Sequence, residues 1–370
     1  MKKALVLILI MLIAFSMVYV VPIKAQSIQT IIIHSNGQVT PINAAIQRLG
    51  NVYFLTTSLT SSIIVEANNI ILNGNGYTLK GPSASLTIGG IAVNITAINV
   101  TVENMIITNW GVGVLGAWNN NTITNSIFTS NDEAIALYGD DYVVRQNSIS
   151  NSTTAIFIDG GSPQDDHEII VQNQITRNTQ AFDITKSNGV TITANNIANN
   201  DAVLALGQTS GKIMLYSNDF VDNEQPLQIP VYSPSMAGVP TISPAGQWDN
   251  GTVGNYWSDY TTRYPGASEI GHTGVCDTPY TIVSSISYSD DYGNGTSITR
   301  TAVLGTATDN CPLLFPIDVP TATLAAVPGA SPTVPEYPMW TVAAVLILML
   351  STAAFLSVRT KPFGKKAIQR

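Results

Sequence analysis

The sequence predicts an all-β fold, a single-stranded right-handed parallel β-helix with a short N-terminal capping helix and a C-terminal transmembrane helix. Three observations carry that expectation. Short β-type segments recur every 21 to 26 residues through the middle of the chain. Asparagine recurs with them in a fixed relation to apolar positions. Apolar runs stand at both ends of the chain and nowhere between. A repeat of this length built from strands too short to form sheets alone is the mark of a solenoid, in which stacking buries a continuous core.

Taken in order, residues 1–25 read as a secretory signal: Lys2-Lys3, an apolar run Ala4 to Val21, then a short stretch ending at Ala25. An uncleaved N-terminal anchor is the alternative. Thr40-Pro41 followed by Ile42, Ala45, Ile46 and Leu49 predicts a capped amphipathic helix covering the first coil. The β-helix is expected over residues 39–229.

Within it, aligned asparagines fall at Asn104, Asn125, Asn147, Asn173, Asn195 and Asn218, spaced 21, 22, 26, 22 and 23 residues apart. A buried asparagine can bond the amide of the next coil, so the cost of burying it is offset by a ladder. Leucine-rich repeats share the period, but leucine is sparse in these coils.

Residues 230–318, rich in Gly, Pro, Asp and aromatics, are expected to close the far end. Cys276 and Cys311 make an even pair and, outside the cell, predict a disulfide; two free thiols are the alternative. Residues 319–338 read as a Pro/Thr/Ala-rich stalk. Trp340 to Val358 is uncharged and long enough to span a bilayer, so a transmembrane helix is expected over 339–358. The basic tail 359–370 that follows puts the C-terminus in the cytoplasm and the bulk of the chain at the cell surface.

All 24 acidic residues but only eight of the 16 basic ones lie between Gln26 and Met339, so this ectodomain carries −16 against −8 for the whole chain. Such a surface repels nucleic acid and suits cations or neutral glycans. Asn94, Asn99, Asn120, Asn151, Asn250 and Asn294 begin Asn-X-Ser/Thr sequons and are glycosylation candidates.

Candidate chemistry is sparse. Asp140-Asp141 follows an apolar segment, and Asp165-Asp166-His167 ends the stretch that makes one coil longer than its neighbours. Solenoid insertions often sit on a binding face. These residues could form an acid/base pair or a cation site, or simply a solvated acidic turn. Trp110 and Trp118 flank one coil and Tyr138 and Tyr142 the next, candidates for shelves on which sugar rings stack.

The segment Val65 to Gly81, with Asn69-Ile70-Ile71-Leu72-Asn73-Gly74-Asn75-Gly76-Tyr77, and the Asn-x-Ile coils resemble the NosD-type β-helix family, which has carbohydrate-binding and sugar-hydrolase-like relatives. Gly254 to Tyr260 and Asp277 to Tyr280 look like the closing motifs of archaeal surface members. Pro335-Glu336-Tyr337-Pro338 is similar to a Pro-Glu-Phe-Pro sorting tail, departing from it at Tyr337. The resemblance implies a surface protein for glycan binding, adhesion or envelope structure, with glycans or envelope proteins as partners. It also brings two alternatives. One is a polysaccharide hydrolase or lyase, lyases of this fold using Ca²⁺. Against it, the Gly-His-Gly and Arg-Ile-Lys strings of polygalacturonase-like members are absent, and nothing in the sequence pairs Arg145 or Arg177 with the acidic loop. The other is a copper-maturation role. Copper wants clustered His, Met or Cys, whereas His34, His167 and His272 are far apart in sequence and Met105 and Met214 read as core. No resident cofactor is otherwise expected.

Overall fold

The computed structural model describes residues 29–324 except 43, 88, 161–166, 207–210, 229–245, 292–296 and 323. The chain divides into two units, residues 1–325 and 326–370, and every described residue belongs to the first. The expected signal segment, transmembrane helix and basic tail and most of the expected stalk therefore lie outside the described residues. No helix among the described residues is long and apolar enough to cross a membrane.

The described chain winds into a parallel β-helix with three sheets. Sheet A runs from Thr30–Ile33 to Gln225–Gln228, sheet B from Ile46–Leu49 to Met214–Tyr216, and sheet C from Thr78–Lys80 to Tyr256–Trp257. Each coil contributes one strand to each sheet. Its inward residues stack on their counterparts one coil away: Val114, Ile135, Ile156 and Phe182 in sheet A, Ile123, Val144, Ile170 and Ile192 in sheet B, Ile107, Phe128, Ile149 and Ile175 in sheet C. All twelve are fully buried. At about 1.5–3 kcal/mol for each large aliphatic or aromatic side chain, these columns are the main stabilising term.

The coils turn at corners where one residue takes the left-handed conformation. One such column is Asn104, Asn125, Gln146, Gln172, Ala194 and Ser217, with φ between 48° and 58°. Asparagine adopts this conformation at lower cost than other non-glycine residues. The next residue points inward, and that column reads Met105, Ser126, Asn147, Asn173, Asn195, Asn218 and Asn255. The expected ladder is thus corrected by one position in its first two coils. Asn104 and Asn125 are corner residues, and Met105 and Ser126 occupy the ladder column. From Asn147 onward the ladder is continuous: Asn147 donates from its main-chain and side-chain N–H groups to Asn173 Oδ1 at 3.0 and 3.1 Å, and Asn173 does the same to Asn195 Oδ1 at 2.9 Å. Asn195 and Asn218 repeat the pattern toward Asn255. A second ladder, not anticipated as such, follows the next corner: Asn131, Ser152, Asn178, Asn200 and Asn223.

The expected N-terminal capping helix is absent. Val39–Thr40 pairs antiparallel with Thr30–Ile33, and Ile46–Leu49 forms a hairpin with Val52–Leu55 through Gly50, at φ 65°. The pairing satisfies the backbone of an edge that a helix would leave open. It buries Ile46 and leaves Ile42 and Leu49 in solvent, where the amphipathic pattern had placed them against the core. The β-helix also starts earlier than residue 39, because Thr30–Ile33 is already a strand of sheet A.

The far end extends the solenoid before closing it. Tyr256–Trp257 adds a strand to sheet C, and Trp257 stacks between Phe220 at 4.5 Å and Tyr280 at 4.2 Å. A single helical turn, Tyr260–Arg263, and an antiparallel hairpin, Tyr280–Asp291 with Ser297–Asp309, follow. The expected disulfide is also absent: Cys276 and Cys311 are free thiols. The Cys276 N–H bonds Pro312 O, so Cys276 lies opposite Pro312 rather than Cys311. Successive side chains of an extended chain point to opposite faces. The neighbours of the two thiols differ accordingly: burial, with the charges of Asp277 and Glu269, raises the pKa of Cys276 against a lowering hydrogen bond from Tyr260, and burial with the charges of Asp249 and Asp309 raises that of Cys311. Beyond the cap the chain turns back along the outside of sheet C, where Ile317 N–H donates to Asp219 and Gln174 donates to Val319 O.

Candidate ligand-binding face

The outer face of sheet A carries the most distinctive surface. Outward positions of successive strands form a row in register: Ile64, Asn94, Leu115, Ala136, Phe157 and Asp183. Six strands at about 4.8 Å make this row about 24 Å long. At one end Ile64, Ile91 and Asn94 line a shallow groove. Toward the other end the Tyr138 and Phe157 rings meet at 5.6 Å, tilted by 50°. Tyr138 is 46% exposed, while Ala136, between Leu115 and Phe157, is fully buried.

Carboxylates surround the aromatic pair. Glu133 lies on the strand of Ala136, Asp159 ends the strand of Phe157, and Asp183 pairs with Phe157 across the next strand. Burial, then the charges of Asp132 and Asp183, raise the pKa of Glu133. Burial alone raises that of Asp183. Burial and the charges of Glu133 and Asp159 raise that of the Tyr138 hydroxyl. Lys186 donates to Asp159 at 3.3 Å. Asp132 is engaged by Leu86 N–H at 2.9 Å, which ties the loop before Gly90 to this face.

The four aromatic candidates divide evenly. Tyr138 and Trp118 are exposed, and Gly139 packs against the Trp118 backbone one coil away. Trp110 and Tyr142 are fully buried and cannot be shelves. Trp110 donates to Leu79 O at 3.1 Å, so its indole N–H is satisfied in the core. The Tyr142 hydroxyl accepts from Asn121 at 3.2 Å, and burial pushes its pKa up to about 12.

Of the candidate catalytic residues, Asp141 and His167 come together at 3.5 Å, both open to water. Asp140 turns to Asn119 at 3.3 Å. Asp165 and Asp166 lie outside the described residues. Arg145 pairs with Gln146 and Arg177 occupies an exposed corner, so neither joins the Asp141–His167 pair. Of the sequons, Asn99, Asn120 and Asn151 are exposed left-handed corners. Asn94 points out from sheet A, Asn250 caps its own turn by accepting from Thr252 and Val253, and Asn294 lies outside the described residues.

Glu133, Phe157, Asp159 and Asp183 escape a reading by sequence separation alone. Their signal is the strand alternation: Asp183 stands between inward Phe182 and Ile184, as Phe157 does between Ile156 and Ile158.

The three sheets, two asparagine ladders and one aromatic face define a parallel β-helix protein. The family model described as "Periplasmic copper-binding protein (NosD)" matches residues 57–262, more than half of the chain. The chain belongs to the NosD family. No curated protein and no solved structure matches it.

The family description names copper, and the described residues do not fit it. They hold no group of three or more His, Cys, Asp or Glu residues placed to bind a metal. All three histidines of the chain are described, and each sits apart from the others beside a carboxylate: His34 on Glu66, His167 on Asp141, His272 near Glu269. The two thiols face different neighbours.

Proposed function

We propose that the chain is a non-catalytic β-helix protein of the cell surface that holds a glycan on the outer face of sheet A. The observation that carries this reading is the exposed Tyr138 ring packed on Phe157, in line with the apolar row of that face. Sugar rings present apolar faces and polar edges, which suits an aromatic shelf bordered by hydrogen-bond acceptors. The NosD family's periplasmic description is consistent with a place outside the cytoplasm. So are the N-terminal signal pattern and the apolar C-terminal run with its basic tail. Adhesion or envelope attachment would follow from glycan binding by an anchored solenoid.

A glycan array probed with the purified full chain, followed by an assay for new reducing ends, tests the reading. Binding that weakens in Tyr138→Ala, without new reducing ends, is the expected result. New reducing ends that vanish in Asp141→Asn would replace it with a hydrolase or lyase acting through the Asp141–His167 pair. No binding to any glycan would leave sheet A as scaffold only.

A further inference from the structure

We propose that the glycan taken by the outer face of sheet A bears free amines, so that the ligand class is a cationic amino-sugar polymer. The inference rests on the reading of this face as a glycan site and adds the charge of the ligand. The surface itself is a row of half-buried side chains, Ile64, Asn94, Leu115 and Phe157, with Ala136 buried between Leu115 and Phe157 and the exposed Tyr138 ring beside Phe157.

Charge complementarity selects the occupant. Glu133 and Asp183 border the aromatic pair from opposite sides along the solenoid, two coils apart. No cation among the described residues pairs with either; Lys186, just past the strand that carries Asp183, is engaged by Asp159. That Lys186–Asp159 contact shows an ammonium group already held at the edge of the same surface. Both unpaired carboxylates are partly desolvated, so a ligand ammonium placed between them relieves a cost present in the free protein. A neutral sugar would stack on Tyr138 without that gain. A uronic acid polymer would meet like charge, both here and in the −16 field of the ectodomain.

The test compares three hexasaccharides on the purified full chain, in a near-neutral buffer that leaves the carboxylates ionised and part of the amine protonated: glucosamine, N-acetylglucosamine and galacturonic acid. The glucosamine hexamer is expected to bind about tenfold more tightly than the N-acetylated one, a ratio that shrinks as salt is added. Glu133→Gln with Asp183→Asn, which keep an amide oxygen at each place but remove the charge, should bring the ratio close to one. The salt titration on the wild type stands independently if the double variant folds poorly. Equal binding of the glucosamine and N-acetylglucosamine hexamers, or tighter binding of galacturonate, overturns the amine preference and leaves the glycan reading intact. Failure of all three hexamers to bind overturns the amino-sugar assignment, and the glycan reading falls with it only if the glycan array also shows no binding.

Discussion

Asn255 donates both its main-chain N–H, at 2.7 Å, and its side-chain N–H, at 3.3 Å, to one oxygen of Asp309. Every asparagine above it in the ladder makes the same pair of bonds to the amide oxygen of the next asparagine. The last one needs an acceptor that is not another amide, and a buried carboxylate supplies it. Trp257 Nε1 donates to the same oxygen at 3.0 Å, and Cys311 N–H donates to the other at 3.1 Å. Asp309 is therefore to the asparagine ladder what a capping side chain is to a helix terminus: it accepts the donors that the repeat leaves over.

Asp309→Ala should lower stability by about 3–5 kcal/mol, because it leaves Asn255 and Trp257 donors buried without partners. Asp309→Asn, which keeps one acceptor, should cost less. Urea denaturation followed by Trp fluorescence reads the difference, since Trp248 and Trp257 lie in the affected cap.

The same carboxylate makes stability depend on pH. Burial raises Asp309 to about 6 against the four N–H donors that lower it, and burial raises Asp219 to about 6 against the Ile317 N–H. Both folded values exceed the ordinary 3.8, so the native state binds the protons more tightly than the unfolded chain. The stabilisation is full below about pH 4 and is lost as pH rises through about 6. For fully buried Asp309 the rise from 3.8 to about 6 corresponds to about 3 kcal/mol. Urea midpoints at a series of pH values should fall across that window. In Asp309→Asn the fall should be smaller, leaving the parts due to Asp219, Glu133 and Asp183.

Asn125 and Asn147 look alike in the sequence and do different work. Asn125→Gly should change stability by a few tenths of a kcal/mol at most, since the corner needs only φ of 48°. Asn147→Ala should cost about 2–4 kcal/mol, because the main-chain N–H of Ser126 loses its acceptor and Ile123 O its donor. Thermal melts of the two variants side by side check the register.

Both cysteines should react with an alkylating reagent in denaturant without prior reduction. Mass spectrometry showing two labels supports the free-thiol cap; no label before reduction would restore the disulfide.

Much of the fold is legible in the sequence because a solenoid repeats its evidence: the inward Ile, Val and Phe columns fix period and stacking together. The register of the first coils is less legible, since asparagine serves both as a left-handed corner and as an inward ladder residue. Asn104 and Asn125 match the pattern while holding the other role. The N-terminal segment misleads because Ile42, Ala45, Ile46 and Leu49 have helical spacing, yet the open edge of sheet B gains more from a hairpin. The candidate binding face is the least legible part. Glu133, Phe157 and Asp183 lie 24 to 50 residues apart and meet only through strand register two coils deep. Trp110 and Tyr142 resemble surface aromatics in sequence because they stand beside polar corner residues, although the inward turn after each corner buries them.

The affinity of the full chain for an immobilised glycan that it selects, compared with that of Tyr138→Ala and of Phe157→Ala, tests the central claim most directly. A loss of about tenfold or more in both variants, with unchanged melting temperature, is the predicted result. Unchanged affinity in both would contradict the assignment of glycan binding to the outer face of sheet A.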